Sequence, residues 1–529
     1  MRLQPNVPAH AIARVRRWGL RVALVHALGL VTCLGQIPIC VESTTLDGNE
    51  VSLVVTAAND SWLGIQASPD LVNWENVATR QVQLANRATI GLIVSDGTAR
   101  QFFRVESPPA IRLAPAGAAL LTGATQTFSA VTSVPGTVTW SVVEPGGGSV
   151  TPAGVYTAPP IAGTYHVRAI TARNPAASVE AEINVVAVSA AELSRFNDAA
   201  AYSDGVQGDA LLVMKQGAIV FEHYANLGGP DNAHLLASGT KSFNAAIFAL
   251  GEAEGIWTLD ENVSQTITEW IGVPNKSAIT IRHLLSLSSG LVDSPLYSPT
   301  NVENLDTYDL AINGTSTPYP PGVACIYGSS NFQVFAALLE RKTGLDPVQF
   351  LFDRLLSRLG FTASQAALWT RDLRGHPQMA GGAYFNARSW LNFGRLWTQQ
   401  GVFDGQPLLN PTTTNLAVTY GNPTFTGYGL SWWLNLPTGN TYTPGVDSLP
   451  PAGHGDGQQI ATTAPMDTYM AAGTGNQRLY VIPSLDLVIV RFGHGLGNSF
   501  TDHTMLGKLL GTLSAESTDD GRRSTASKR

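Results

Sequence analysis

Short apolar–polar alternation dominates the N-terminal part of the chain. Between residues 41 and 108 the runs VSLVVTA and GLIVSD alternate and are separated by turn residues, the period-two pattern of half-buried strands in a small antiparallel β-sandwich module. Trp74 and the pair Phe102 and Phe103 are the aromatic anchors such a module would bury. Residues 109–189 repeat the texture in TQTFSAV, GTVTWSVVEPGGGSV, GVYTAPPIAGTYHVRAITA and SVEAEINVVAV, with Gly and Pro at the turns. That spacing predicts a second all-β sandwich module, with Trp140 and Tyr156 in its core.

From residue 190 the period changes. ALLVMKQGAIVFEHYAN (210–226) reads as a hairpin around Gln216 and Gly217. NFQVFAALLERKTG (331–344) reads as a helix stopped by Gly344, and DPVQFLFDRLLSRLG (346–360) as another, capped by Asp346 and ended by Gly360. RLYVIPSLDLVIVRFG (478–493) gives two strands joined through Pro483 and Asp486. Strands at both ends with helices between predict an α+β domain over 190–515, an antiparallel sheet flanked by helices. The polar tail 516–529 reads as disordered.

Composition narrows the picture. Of 529 residues 44% are hydrophobic and 13% charged, and a net charge of -7 leaves no basic footprint for nucleic acid. Arg2, Arg14, Arg16, Arg17 and Arg21 precede or open the apolar run VALVHALGLVTCL (22–34), and no acidic residue comes before Glu42. Residues 1–35 therefore read as a signal peptide or an N-terminal anchor, which predicts a secreted, periplasmic or cell-surface protein. Of the cysteines Cys33, Cys40 and Cys325, the first lies in that segment, so no disulfide framework is expected; Cys325 reads as a small buried residue.

The stretch LLASGTKSFNAAIFALGEAEGIWTLDENV (235–263) carries the candidate chemistry. Ser238 and Lys241 lie three apart at the head of a helical pattern, hence on one face, while Phe243, Ala246, Ile247 and Leu250 form the packed stripe. Unpaired amides of a first helical turn favour developing negative charge there. Alone, S-x-x-K recurs by chance, and a capping serine beside a surface lysine is the plainer reading. Other chemistries find less support. The ten histidines include no pair at metal-ligand spacing, and no G-x-S-x-G elbow occurs. His454 in GHGDGQQ (453–459) reads as part of a glycine-rich loop, and His283 as structural. Strand alternation puts Trp432 and Trp433 on opposite faces.

Further segments follow in order: ITIRHLLSLSSGLVD (279–293), PPGVACIYGSSNFQVFAALLERKTG (320–344), MAGGAYFNARSWLNFGRLW (379–397), YGLSWWL (428–434) and MAAGTGNQRLYVIPSLDLVIV (470–490). Together with SGTK they resemble the serine β-lactamase and penicillin-binding-protein superfamily, and within it the class C-like carboxylesterases and 6-aminohexanoate-dimer hydrolases. The resemblance implies that Ser238 is the acylated nucleophile, Lys241 its proton partner, and Tyr327 of YGS a proton shuttle to the leaving group. It implies that Ser329 stands where asparagine is common and hydrogen-bonds substrate or lysine. It also implies that Gly473 lets substrate approach the backbone, while the amides of Ser238 and Thr474 hold the oxyanion. This sequence departs from the pattern at Ala471-Ala472-Gly473, where relatives carry Lys-Thr-Gly or His-x-Gly. Without a cation at 471, a small uncharged ester or amide is a better substrate than a β-lactam carboxylate.

No metal or organic cofactor is implied. The 41–108 segment resembles a β-sandwich appendage of secreted bacterial proteins and the 109–189 segment a bacterial immunoglobulin-like domain, for which attachment to cell wall or polysaccharide is a candidate role. Two other functions compete: a cell-wall D,D-peptidase or β-lactamase, and a non-catalytic secreted binding or adhesion protein.

Overall fold

The computed structural model describes residues 111–512, except 133–136, 172–176, 424, 438–458 and 496–498, together with seven strand segments between 11 and 106. The chain divides into two units: Met1–Ala114, Phe128–Ser141 and Arg168–Glu180 form one, and Pro115–Thr127, Val142–Val167 and Ala181–Arg529 the other. In the first, Cys40–Asp47, Glu50–Thr56 and Arg87–Ile93 make one antiparallel sheet. Trp62–Ser68, Glu75–Gln81 and Phe102–Glu106, with Ala11–Ala13, make another. Trp74, the apolar run 22–34 and residues 516–529 lie outside the described residues. Trp140 is only half-buried, contrary to the expected core position, because its strand Val138–Val142 alternates half-buried and exposed side chains with none enclosed. In the second unit Tyr156 is fully buried and its hydroxyl donates to the Gly147 carbonyl at 2.6 Å.

The second unit also holds the α+β domain. Its six strands are β1 (Gly208–Lys215), β2 (Ala218–Tyr224), β5 (Trp433–Leu434), β6 (Tyr469–Gly473), β7 (Gln477–Ile482) and β8 (Leu487–Gly493). They pair in the order β2-β1-β8-β7-β6-β5, every pairing antiparallel. A two-stranded ladder, β3 (His234–Leu235) with β4 (Tyr384–Phe385), lies outside this sheet. The β1–β2 hairpin turns at Gln216 and Gly217, both at positive φ (51° and 79°), the conformation a tight primed turn requires. The helices are α1 (Ala190–Gly205), α2 (Phe243–Ala253), α3 (Ile281–Leu285), α4 (Thr307–Ile312), α5 (Ser330–Thr343), α6 (Pro347–Arg354), α7 (Ala363–Ala366), α8 (Ala387–Thr398), α9 (Pro411–Thr419) and α10 (Asp502–Leu510). Among the described residues no helix is long and apolar enough to cross a membrane.

Strand alternation sorts the sheet's side chains onto two faces. Leu479 and Val488 face α8, which can press close because Gly394 presents no side chain: a Cβ there would lie 2.4 Å from Val488. The other face carries Arg478, Tyr480 and Arg491, all buried. Arg478 and Tyr480 bind Asp502 of α10, at 2.7 and 2.5 Å, and Arg491 reaches Ser203 of α1 at 3.0 Å. A buried arginine needs such partners, because an unpaired charge in the interior is costly.

Two helical expectations needed correction. The predicted 346–360 helix breaks at Leu355 (φ −134°), α6 ending at Arg354 and a 3₁₀ turn running Leu356–Leu359 to Gly360. The break lets Leu355, Leu356 and Leu359 all reach the core. The segment carrying Ser238 and Lys241 is likewise a 3₁₀ turn, Ala237–Ser242, with α2 starting only at Phe243. α2 is buried all round from Phe243 to Gly251, so the expected stripe understated its burial.

Candidate active site

The 3₁₀ geometry of Ala237–Ser242 stacks residues i and i+3 directly over one another, tighter than an α-helix would. Lys241 Nζ accordingly donates to Ser238 Oγ at 3.0 Å. A second bond, to the Ala380 carbonyl at 2.8 Å, holds the buried Nζ from the other side. Ser238 itself is half-buried. Ala237, immediately before it, has φ +46°, a conformation disfavoured for a non-glycine residue and held here by the surrounding structure.

The 378–383 segment clasps this turn. The Asn244 side chain donates to the Met379 carbonyl at 3.1 Å and to the Lys241 carbonyl at 2.9 Å. The Ala383 amide donates to Thr240 Oγ1 at 3.1 Å, and the Leu236 amide to the Ala383 carbonyl at 2.9 Å. MAGGAY carries no side chain that announces this role, because its contribution to Lys241 is a backbone carbonyl.

Tyr327 is brought to the same place. Lys241 Nζ lies 4.8 Å from its ring centroid, within cation–π range. Trp433 supports the ring at 5.7 Å, and Tyr428 packs edge-on against Trp433 at 4.7 Å. Trp432 joins Phe393, Trp397 and Tyr469 instead, so the adjacent tryptophans do serve opposite faces. Cys325, two residues before Tyr327, is buried.

Ser329 is the residue preceding α5, and its amide and that of Ser330 both donate to Asp293, each at 2.8 Å. Gly328 makes room for that carboxylate: a Cβ there would meet Asp293 Oδ1 at 2.7 Å. Beside Ser329 lies Tyr297, whose hydroxyl accepts from Gln378 Nε2 at 2.7 Å. Burial pushes the Tyr297 phenol up to about 12, partly opposed by its hydrogen bond with Ser329. Asp293 and Tyr297 were both missed from sequence. Asp293 ends the quoted segment LVD, but nothing in that segment marks it as the cap of a helix beginning at 330.

Gly473 ends β6 against the Ala237–Ser242 turn. A Cβ on it would fall 2.0 Å from the Leu236 carbonyl and 3.1 Å from the Gly239 amide. Only glycine permits this approach. Thr474 follows, exposed, just past the strand, and Ala471 is buried within it. The glycine-rich loop around His454 lies outside the described residues. His283 is structural: its Nδ1 accepts from the Thr280 amide at 3.1 Å in a capping arrangement that starts α3.

One group with metal-ligand proximity occurs among the described residues, Asp306, Asp372 and His376. Asp372 already accepts from the amides of Thr307, Arg374 and His376 and from the Thr307 hydroxyl, so it locks a turn.

A family model described as Beta-lactamase matches residues 191–511. Among solved structures the chain is similar to a candidate 6-aminohexanoate-dimer hydrolase from Bacillus anthracis, at 19% identity and TM-score 0.46, covering 59% of this chain and 80% of that one. A penicillin-binding protein homologue from Caulobacter crescentus matches at 15% and 0.47, covering 61% and 98%. A D-stereospecific amidohydrolase from a Streptomyces species matches at 18% and 0.42, covering 61% and 97%. No curated protein matches.

Proposed function

The chain belongs to the beta-lactamase family, and from that premise we propose that it is an exported serine hydrolase that cleaves small uncharged esters or amides through an acyl-enzyme on Ser238. The observation that carries this reading is the 3.0 Å bond between Lys241 Nζ and Ser238 Oγ, with Tyr327 against the same nitrogen.

In this reaction Ser238 Oγ bonds to the substrate carbonyl carbon while its proton passes to the Lys241–Tyr327 pair. The amides of Ser238 and Thr474 receive the oxyanion. The pair then returns the proton to the leaving alcohol or amine as the carbonyl–heteroatom bond breaks. Water attacks the resulting ester in the same way and frees Ser238. Ala471, buried and uncharged, offers no grip for a substrate carboxylate, which favours neutral esters and amides over β-lactams.

The test is intact-mass spectrometry after a fluorophosphonate probe, with p-nitrophenyl butyrate and nitrocefin turnover on the same protein. One adduct and ester turnover, both lost in Ser238→Ala, with little nitrocefin hydrolysis, is the expected result. A folded wild type that takes no label and turns over neither substrate would replace this reading with a binding protein. Nitrocefin turnover exceeding ester turnover would point to a β-lactamase.

A further inference from the structure

Asp209 is fully buried, yet among the described residues no lysine or arginine binds it. It is the extra residue of a β-bulge, where β1 passes from Gly208 to Ala210 against Gly493 and Phe492 of β8. A bulge re-aims the side chain it carries. Asp209 Oδ1 accepts from the Leu227 amide at 3.1 Å and from His494 Nδ1 at 2.7 Å, and Oδ2 from His234 Nε2 at 3.3 Å.

The two histidines differ in the protons these bonds require. His494 makes one of them, which a neutral ring carrying its proton on Nδ1 satisfies. His234 faces an acceptor with each ring nitrogen, Nε2 the Asp209 carboxylate and Nδ1 the Leu235 carbonyl at 3.1 Å. A neutral imidazole has one N–H, so only the imidazolium makes both bonds. The positive ring also supplies the counter-charge that the buried Asp209 needs.

Two routes lead from this ring to the Ser238 turn. Along the chain comes Leu236, whose amide donates to the Ala383 carbonyl and whose own carbonyl lies under Gly473. Through the side chains, His234 stacks on Phe492 at 4.8 Å and Phe492 on Trp390 at 5.7 Å. Trp390 in turn presses on Gly239, the residue after Ser238, where a Cβ would meet its ring at 2.8 Å. The other charged or titratable groups on the surrounding elements are engaged elsewhere or lie apart. Arg388 of α8 is bidentate on Glu222 of β2, and Arg491 of β8 reaches Ser203 on the other face of the sheet. Tyr384 of β4 pairs with Leu235 across the ladder, and Asp231 in the preceding loop is exposed.

We propose that His234 is a positioning residue whose imidazolium, bridging Asp209 and the Leu235 carbonyl, holds the Ser238 turn in its reactive geometry, so that protonation of this one ring regulates turnover. The inference rests on the serine-hydrolase reading. Turnover supported in this way is present in acid and is lost as pH rises through the range of about 5–8 in which histidine exchanges its charge.

The test is p-nitrophenyl butyrate turnover by the full-length wild type, His234→Gln and His234→Lys from about pH 5 to 9, a range that brackets the histidine titration. The ratio of variant to wild-type kcat at each pH cancels every other titration. His234→Gln, never charged, should stand roughly tenfold below wild type in acid, the loss of one hydrogen bond to a charged group, and match it at the alkaline end. His234→Lys, charged throughout, should gain on wild type as pH rises. A ratio constant across pH would mark His234 as structural and overturn the proposal; if one variant does not fold, the other decides. Turnover that survives Ser238→Ala would overturn the hydrolase reading and this inference with it. Turnover that depends on Ser238, with a constant ratio, overturns this inference alone.

Discussion

At the scale of single residues, the arrangement around Ser238 depends on what certain positions leave out. Gly473 has no Cβ, and any other residue would collide with the Leu236 carbonyl 2.0 Å away. Gly473→Ala should therefore push β6 from the Ser238 turn and, on the proposed mechanism, disturb the oxyanion position. Ester turnover should fall by about 10²–10³-fold, the usual cost of losing an oxyanion donor, while circular dichroism shows the fold retained. Turnover within a factor of about two of wild type would mean that Gly473 does not lie beside the reacting carbonyl. Gly328 is matched in the same way to Asp293, and the absence of bulk there lets one carboxylate hold two amides.

At the scale of elements, the start of α5 ties structure to chemistry. Ser329 offers no side-chain cap of its own, so the orphan amides of the first turn are taken by Asp293, from a segment 36 residues earlier. That bond fixes the loop carrying Tyr327. Asp293→Ala should lower stability by about 0.5–2 kcal/mol, as for other lost caps, and also reduce turnover because Tyr327 and Ser329 lose their anchor. Urea unfolding and ester kinetics on one preparation separate the two effects. A stability loss with unchanged kcat would reduce Asp293 to a cap alone. The 3₁₀ turn of Ala237–Ser242 is a second such element, its tighter winding placing Lys241 over Ser238.

At the scale of the whole molecule, ion pairs tie separate elements together. Glu192 in the first turn of α1 binds Lys215 at the end of β1 at 2.5 Å and caps its own helix with Ser189. The Lys215 hydrogen bond and the Ser189 amide hold the Glu192 carboxyl down at about 2, against an ordinary 4.5. A carboxyl depressed in the folded state favours folding fully above its unfolded value. That contribution should be complete above about pH 4.5 and vanish as pH falls toward 2. Melting temperatures of wild type and Glu192→Gln should thus differ near neutrality and converge in acid. Parallel curves across that range would show that the pair contributes nothing.

The sequence by itself determined the features whose causes are local. The β1–β2 turn at Gln216 and Gly217, the stop of α5 at Gly344 and the Asp346 cap of α6 were all legible, because each depends on backbone conformation or hydrogen bonds within a few residues. The Ser238–Lys241 pairing was legible for the same reason, since three residues of helical chain bring the two together. The tertiary structure alone decided contacts that join remote segments. The Ala380 carbonyl holds Lys241, yet a carbonyl is common to every residue and leaves no mark in the sequence. Arg478 and Arg491 can be buried only because α10 and α1 supply their partners, which lie far off in the sequence. The break at Leu355 was invisible because the apolar spacing continues through it, and only packing chose to turn all three leucines inward. Periodicity reports which side of an element faces the core; what waits on that side is a long-range fact, set when the chain closes on itself.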